Sequence, residues 1–216
     1  MAQLFHPGEL LALKVVLLGV AAAVAAVGVT IYNGLAGGAA PGHAPAQPIP
    51  FSHKHHVGDD GIDCRYCHTT VEKSRFAGLP SSEICLTCHS QLFVGAAPLQ
   101  PLHDSAASGR PLQWNRVHDL PDFVYFDHSI HIAKGVACVE CHGHVERMPL
   151  TRRVASLEMQ WCLACHRDPL PHLRAPGAVF DPEPLRAGEA LHERDVRRLV
   201  EPLGQRRLTD CSTCHR

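Results

Sequence analysis

Five times along the chain a Cys-x-x-Cys pair is followed at once by histidine: Cys64-Arg-Tyr-Cys67-His68, Cys85-Leu-Thr-Cys88-His89, Cys138-Val-Glu-Cys141-His142, Cys162-Leu-Ala-Cys165-His166 and Cys211-Ser-Thr-Cys214-His215. These pairs use all 10 cysteines, so none remains for a disulfide between them. Two thiols about one helical turn apart, with an imidazole next in line, form the attachment pattern of c-type haem. The thiols add to the haem vinyl groups, and the histidine binds the iron from below. Zinc binding needs no histidine after each pair. Thioredoxin-like redox chemistry needs one such pair near a βαβ unit, and no such unit is visible. The repetition therefore points to five covalently bound haems.

The remaining composition supports this. Only 12 aromatic residues (Phe 7, Trp 2, Tyr 3) occur in 216 residues, thin for an ordinary core. Between Phe51 and Arg216 there are 166 residues for five motifs, too few to surround each porphyrin separately. The expected fold is mostly irregular with short α-helices, packed around the haems as its core. Arginines are available as partners for the haem propionates. The balance of 20 basic against 21 acidic side chains excludes a strongly basic nucleic-acid binder.

Residues 1–33 read as a membrane anchor. Leu10 to Tyr32 is an apolar run of 23 residues interrupted only by Lys14. At 1.5 Å per residue it can cross a hydrocarbon core of about 30 Å. A cleaved signal peptide is the alternative, but the run from Val15 to Ile31 exceeds a usual apolar region of about 7–15 residues. Residues 34–50, rich in Gly, Ala and Pro, read as a tether. Two two-haem repeats over 51–110 and 111–167 follow, then a C-terminal segment, 168–216, with the fifth motif. In that segment Gly188 to Leu203 has the pattern of an amphipathic helix.

The repeat is visible in the histidines. Phe51-Ser-His53-Lys-His-His56 and Phe126-Asp-His128-Ser-Ile-His131 each precede two haem motifs, with corresponding points offset by 75, 74 and 77 residues. Histidines three apart share a helix face and can serve two neighbouring irons. His53, His56, His128 and His131 are therefore candidate distal ligands, and His68, His89, His142, His166 and His215 the proximal ones.

FSHKHHV…CRYCH and FDHSIH…CVECH resemble the F-x-H-x-x-H…CxxCH signature of class III multihaem cytochromes. In that family the first histidine caps the haem next in sequence and the second caps a neighbour. The chain as a whole resembles the membrane-anchored pentahaem subunit of alternative complex III, a bacterial quinol:electron-acceptor oxidoreductase. The likeness is most specific in Trp114-Asn-Arg-Val-His118-Asp-Leu-Pro-Asp-Phe-Val-Tyr-Phe126-Asp-His128 and in Met159-Gln-Trp161-Cys162. On that comparison His118 is the fifth distal ligand, with His144, His172 and His192 in reserve. His55 reads as exposed, His6, His43 and His103 as bystanders, and Met159 as packing.

The resemblance implies an electron-transfer subunit rather than a catalytic one. Quinol would be oxidised by membrane subunits, and electrons would enter through an iron–sulfur or molybdopterin-like subunit. They would leave to a monohaem cytochrome c, a soluble carrier or a terminal oxidase. Three other readings stay open: a self-sufficient membrane-anchored quinol dehydrogenase, a multihaem reductase, and a periplasmic electron store. Haem attachment to CxxCH takes place after export, so the haem domain is expected outside the bacterial cytoplasmic membrane and the amino terminus inside. Lys14 agrees with that orientation.

Overall fold

The computed structural model describes residues 7–37, 41–183 and 208–215. The expected helix at 188–203, His6 and His192 lie outside them. Among the described residues the chain is helical and irregular; its only β pairings are isolated bridges, Val124 with His215 and Val136 with Leu173.

Helix α1, Pro7–Gly37, is 31 residues long. Its segment Gly8–Tyr32 has a mean hydropathy of 2.6 over its most apolar window, and none of that window is buried among the described residues. An apolar helix whose side chains stay unburied suits a lipid surround.

The motifs sit on short helices: α2 (Cys64–Cys67), α3 (Ser82–His89), α6 (Cys138–His142), α7 (Met159–Arg167) and α8 (Cys211–Cys214). One helical turn places cysteines three apart on the same side. Asp63 starts α2 by accepting from Arg65 N at 2.8 Å, and its carboxylate also takes the Arg65 guanidinium on both oxygens. Helix α4 (Gln100–Ser108), in a Ser/Gly-rich stretch, packs on α3 through a buried Ser82–Ser105 hydroxyl pair at 2.7 Å.

The two repeats interlock. The helical turn Lys54–Asp59 lies on the short turn Val145–Arg147, so closely that a β-carbon on Gly58 would strike the Glu146 carbonyl. His128 N donates to Arg75 O and Ser129 N to Ser74 O, both at 3.3 Å. The segment read as a tether is pinned to the second repeat. Gly42 N donates to Arg153 O at 2.6 Å and Arg153 N to His43 O at 2.9 Å, while the Gln47 side chain pairs with the Asn115 backbone.

Apolar burial is sparse. Ile49, Val71, Leu102, Ala137, Met148, Ala155, Leu173 and Val179 are the buried apolar residues among those described. Such a set is small for a chain of this length. Two buried arginines act as struts instead. Arg153 donates to the Ala155 and Ser156 carbonyls, and Arg174 to those of Asp181 and Glu183. These guanidinium groups brace the backbone, while Arg174 Nε stays buried without a partner among the described residues.

Candidate functional site

Each F-x-H-x-x-H segment builds the same local device. The residue after phenylalanine starts the turn: Ser52 Oγ accepts from His55 N at 3.3 Å, and Asp127 Oδ1 from Ile130 N at 3.4 Å. In the second repeat this opens helix α5 (His128–Ala133). The carbonyl of the same residue accepts from the second histidine: His56 Nδ1 to Ser52 O at 2.9 Å, His131 Nδ1 to Asp127 O at 2.7 Å. The phenylalanine fixes both rings. Phe51 meets His53 edge-on and stacks on His56 at 4.5 Å; Phe126 does the same with His128 and with His131, also at 4.5 Å.

These histidines come opposite the histidines of the motifs. His53 faces His68 with ring centroids 6.5 Å apart and planes within 8° of parallel. His128 faces His142 at 6.3 Å and 12°. The second members pair with the later motif of each repeat: His56 with His89 at 6.1 Å and 58°, His131 with His166 at 6.2 Å and 33°.

An iron held by two imidazoles lies roughly 2 Å from each bonded nitrogen, with each ring centre about 1.1 Å further on, giving centroids about 6.2 Å apart. All four pairs match that spacing. Direct ring stacking would bring them closer, as where Phe51 and Phe126 lie on His56 and His131. The residues present therefore fit haem held between two histidines.

Hydrogen bonding favours the same role. A metal-bound histidine usually donates its other ring N–H to a fixed acceptor. His68 Nδ1 reaches Gly78 O at 2.7 Å, His89 Nδ1 reaches Leu92 O at 3.1 Å, and His166 Nδ1 reaches Leu208 O at 2.8 Å. His53 Nδ1 meets Thr151 Oγ1 and His128 Nδ1 meets Arg75 O, both at 2.8 Å. With Nδ1 as donor, each ring keeps the Nε2 lone pair for a metal. Burial also disfavours the protonated form, lowering the pKa of His53 to about 4 and of His142 to about 3.

The motifs adjoin one another in the order second, first, third, fourth, fifth. The Tyr66 and Thr87 hydroxyls join the first two at 2.9 Å. The Cys64 and Cys138 thiols adjoin between first and third, which lowers the Cys64 pKa and, with burial, raises that of Cys138. His131, in the turn before the third motif, faces His166 of the fourth. The bond from His166 to Leu208 leads to the fifth, where Tyr125 N donates to Cys214 O at 2.8 Å.

His215 lies against Phe123, at 5.8 Å between rings, with Nδ1 3.3 Å from its carbonyl. His118 is not brought opposite it. His118 instead meets His142 edge-on, with centroids 4.3 Å apart and the two Nδ1 atoms at 3.3 Å. Burial, then the positive charge of Arg153, lower the pKa of His118 to about 4 and keep it neutral.

The other histidines divide. His55 is exposed and pairs with Asp59 at 3.0 Å. His144 and His172 take carboxylates, Glu146 at 2.9 Å and Glu140 at 2.8 Å, and Met159 is exposed. Sequence reasoning missed Ser52, Asp127 and Thr151. The first two carry a readable signal, a capping residue just before a histidine pair.

Residues 124–216 match the family of cytochrome c7 and related cytochrome c. Over 132 residues the chain is 36% identical to the menaquinone reductase, multihaem cytochrome c subunit, of Nitratidesulfovibrio vulgaris (strain Hildenborough). That alignment covers 60% of this chain and 56% of the relative, so the chain spans a little over half of the relative's length. The chain is thus similar to cytochrome c7 and related cytochrome c over its C-terminal part, and to the multihaem cytochrome c subunit of a menaquinone reductase.

Proposed function

We propose that this chain is the membrane-anchored electron-transfer subunit of a quinone-reactive oxidoreductase, conducting electrons through five covalently bound c-type haems. The observation that carries the reading is the set of four facing histidine pairs, each at iron-bridging distance and generated twice by the same motif.

Bound haem supplies a one-electron couple at each site. The ten motif cysteines attach the haems, His68, His89, His142, His166 and His215 serve as proximal ligands, and His53, His56, His128 and His131 as distal ligands. The chain's own work is to hold these rings still. Phe51 and Phe126 fix the orientation of the four distal rings, and carbonyl or hydroxyl acceptors face every Nδ1 except that of His142. Ligands that keep the same place in both oxidation states let electrons pass without rearrangement. Histidine on both faces leaves no position for substrate at those four sites, which favours conduction over a reductase.

The partners follow from the resemblance to the alternative complex III subunit and from the similarity to a menaquinone reductase subunit. They are membrane subunits that handle quinone and an iron–sulfur or molybdopterin-like subunit on the donor side. A monohaem cytochrome, soluble carrier or terminal oxidase accepts the electrons. With α1 in the cytoplasmic membrane, the haem domain stands on the outer face.

The intact mass of the chain from native membranes tests the cofactor count. Five haem masses are expected, and fewer than five overturn the reading. Co-purification tests the assignment as a subunit: larger membrane proteins should accompany the chain. A chain isolated alone that oxidises quinol at full rate overturns the division of labour. Adding quinol to the complex should reduce its haems; haems that are only oxidised, as quinone is reduced, reverse the direction.

A further inference from the structure

The leading histidines of the two repeats occupy equivalent places, yet their acceptors differ in kind. His128 Nδ1 meets the backbone carbonyl of Arg75 at 2.8 Å, and His53 Nδ1 meets the Thr151 hydroxyl at the same distance. Every other proposed ligand apart from His142 also places Nδ1 at a backbone carbonyl. A carbonyl is there whatever the residue; a hydroxyl depends on the side chain. His53 is thus the proposed ligand whose acceptor a single residue type decides.

Thr151 is held as a fixed partner must be. Three residues before it, the Met148 carbonyl accepts from Lys54 N at 3.1 Å, next in sequence to His53 itself. Two residues after it, Arg153 N donates to His43 O at 2.9 Å, and the buried Arg153 side chain donates to the Ala155 carbonyl at 3.0 Å. The stretch that carries the hydroxyl is therefore fastened on both sides, on one of them to the histidine turn.

A His53 bound to iron through Nε2 carries its remaining proton on Nδ1. That N–H donates to Thr151 Oγ1, which makes the hydroxyl the acceptor. The bond restrains rotation of the ring, whose plane lies within 8° of that of His68. It also polarises Nδ1–H and raises the basicity of the imidazole, which favours ferric iron and lowers the reduction potential. Phe51 packs edge-on to the same ring but offers no polar atom, so the electronic effect belongs to the hydroxyl.

We infer that Thr151 is a positioning residue of the first haem site, accepting the Nδ1 proton of His53 and so setting the angle of that ring and the potential of the iron it serves. This rests on the haem reading proposed above. The second repeat thereby tunes a site whose cysteines and proposed histidine ligands all belong to the first.

The test uses the full haem-loaded chain with Thr151→Val, which keeps the shape and removes the hydroxyl, and Thr151→Ser, which keeps the hydroxyl. Intact mass, low-temperature electron paramagnetic resonance and redox titration read the result. The Val variant should keep the wild-type haem count. One titration component should move to more positive potential, and one low-spin signal should shift to a larger maximum g value. That signal should be the one that His53→Ala replaces with high-spin haem. The Ser variant should match wild type in both readings. A Val variant identical to wild type overturns the inference, as does a Ser variant that matches Val or a shift of several components together. If the Val variant does not accumulate, Thr151→Ala removes the same hydroxyl and decides by the same readings. Too few haems in the wild-type chain, or no high-spin haem in His53→Ala, would count against the haem reading itself, a different failure.

Discussion

His128 places its Nδ1 2.8 Å from the carbonyl of Arg75, a residue 53 positions earlier that belongs to the other repeat. The arrangement is reciprocal, since His53 of the first repeat reaches Thr151 of the second at the same distance. Each repeat thus supplies a histidine, proposed as an iron ligand, whose orientation depends on its neighbour. Neither repeat holds its leading histidine in place without the other, which ties formation of the sites to docking of the two halves.

Deleting a second-position histidine should expose a single iron. His131→Ala should retain all covalent haems yet show one added equivalent of high-spin ferric haem by electron paramagnetic resonance. His55→Ala, one residue before His56 but exposed and paired with Asp59, should leave the spectrum unchanged. A high-spin signal from the His55 variant would contradict the pairing.

The ring planes predict two spectral types. His53–His68 and His128–His142 are within 12° of parallel, an arrangement that separates the iron d orbitals in energy and gives rhombic low-spin signals. His56–His89, at 58°, brings those orbitals closer and should give a more anisotropic signal with a larger maximum g value. Low-temperature spectra of the His56→Ala variant check the assignment, because the most anisotropic low-spin component should vanish.

Gly58→Ala should weaken the joint between repeats. The added carbon meets the Glu146 backbone oxygen, which cannot swing aside as a side chain can. Overpacking of this kind costs about 1–3 kcal/mol. The denaturant midpoint of the haem-loaded protein should fall, whereas Gly61→Ala tests only local strain, since open space surrounds that position.

Acid should loosen the helix starts. Asp127 is held below the usual carboxylate range chiefly by the Ser129 hydroxyl, and Asp63 chiefly by Arg65. A carboxylate whose pKa is lower in the folded state contributes stability above its unfolded value, about 3.9. That contribution disappears as pH falls through the folded value. The wild-type midpoint should therefore drop below about pH 4 more steeply than that of Asp127→Asn or Asp63→Asn. Parallel acid limbs would rule the caps out as contributors.

Much of the site was legible because its chemistry is tied to residue type. A thiol pair, an imidazole and an aromatic ring each have few substitutes, and their spacing repeats. The partners that orient the rings were hidden for the opposite reason. Arg75, Gly78, Leu92 and Leu208 act through carbonyls, which every residue has, so sequence pattern carries no trace of them. His118 shows another limit. Its place in a motif-like stretch marks it as important, but nothing in the sequence shows that it packs edge-on against His142. Helix α4 escaped notice because its nine residues have little apolar pattern, and it is seated by a buried hydroxyl pair.

The backbone pairing of Gly42 with Arg153 sets a leash. Helix α1 ends at Gly37, so five residue steps separate it from that anchor point. Fully extended, they reach no more than about 18 Å. With α1 in a bilayer, the electron-carrying body stays close to the lipid surface and cannot swing out to meet distant partners. On the proposed function, a soluble acceptor would have to travel to it, and turnover would then depend on how often such carriers arrive rather than on any reach of this subunit.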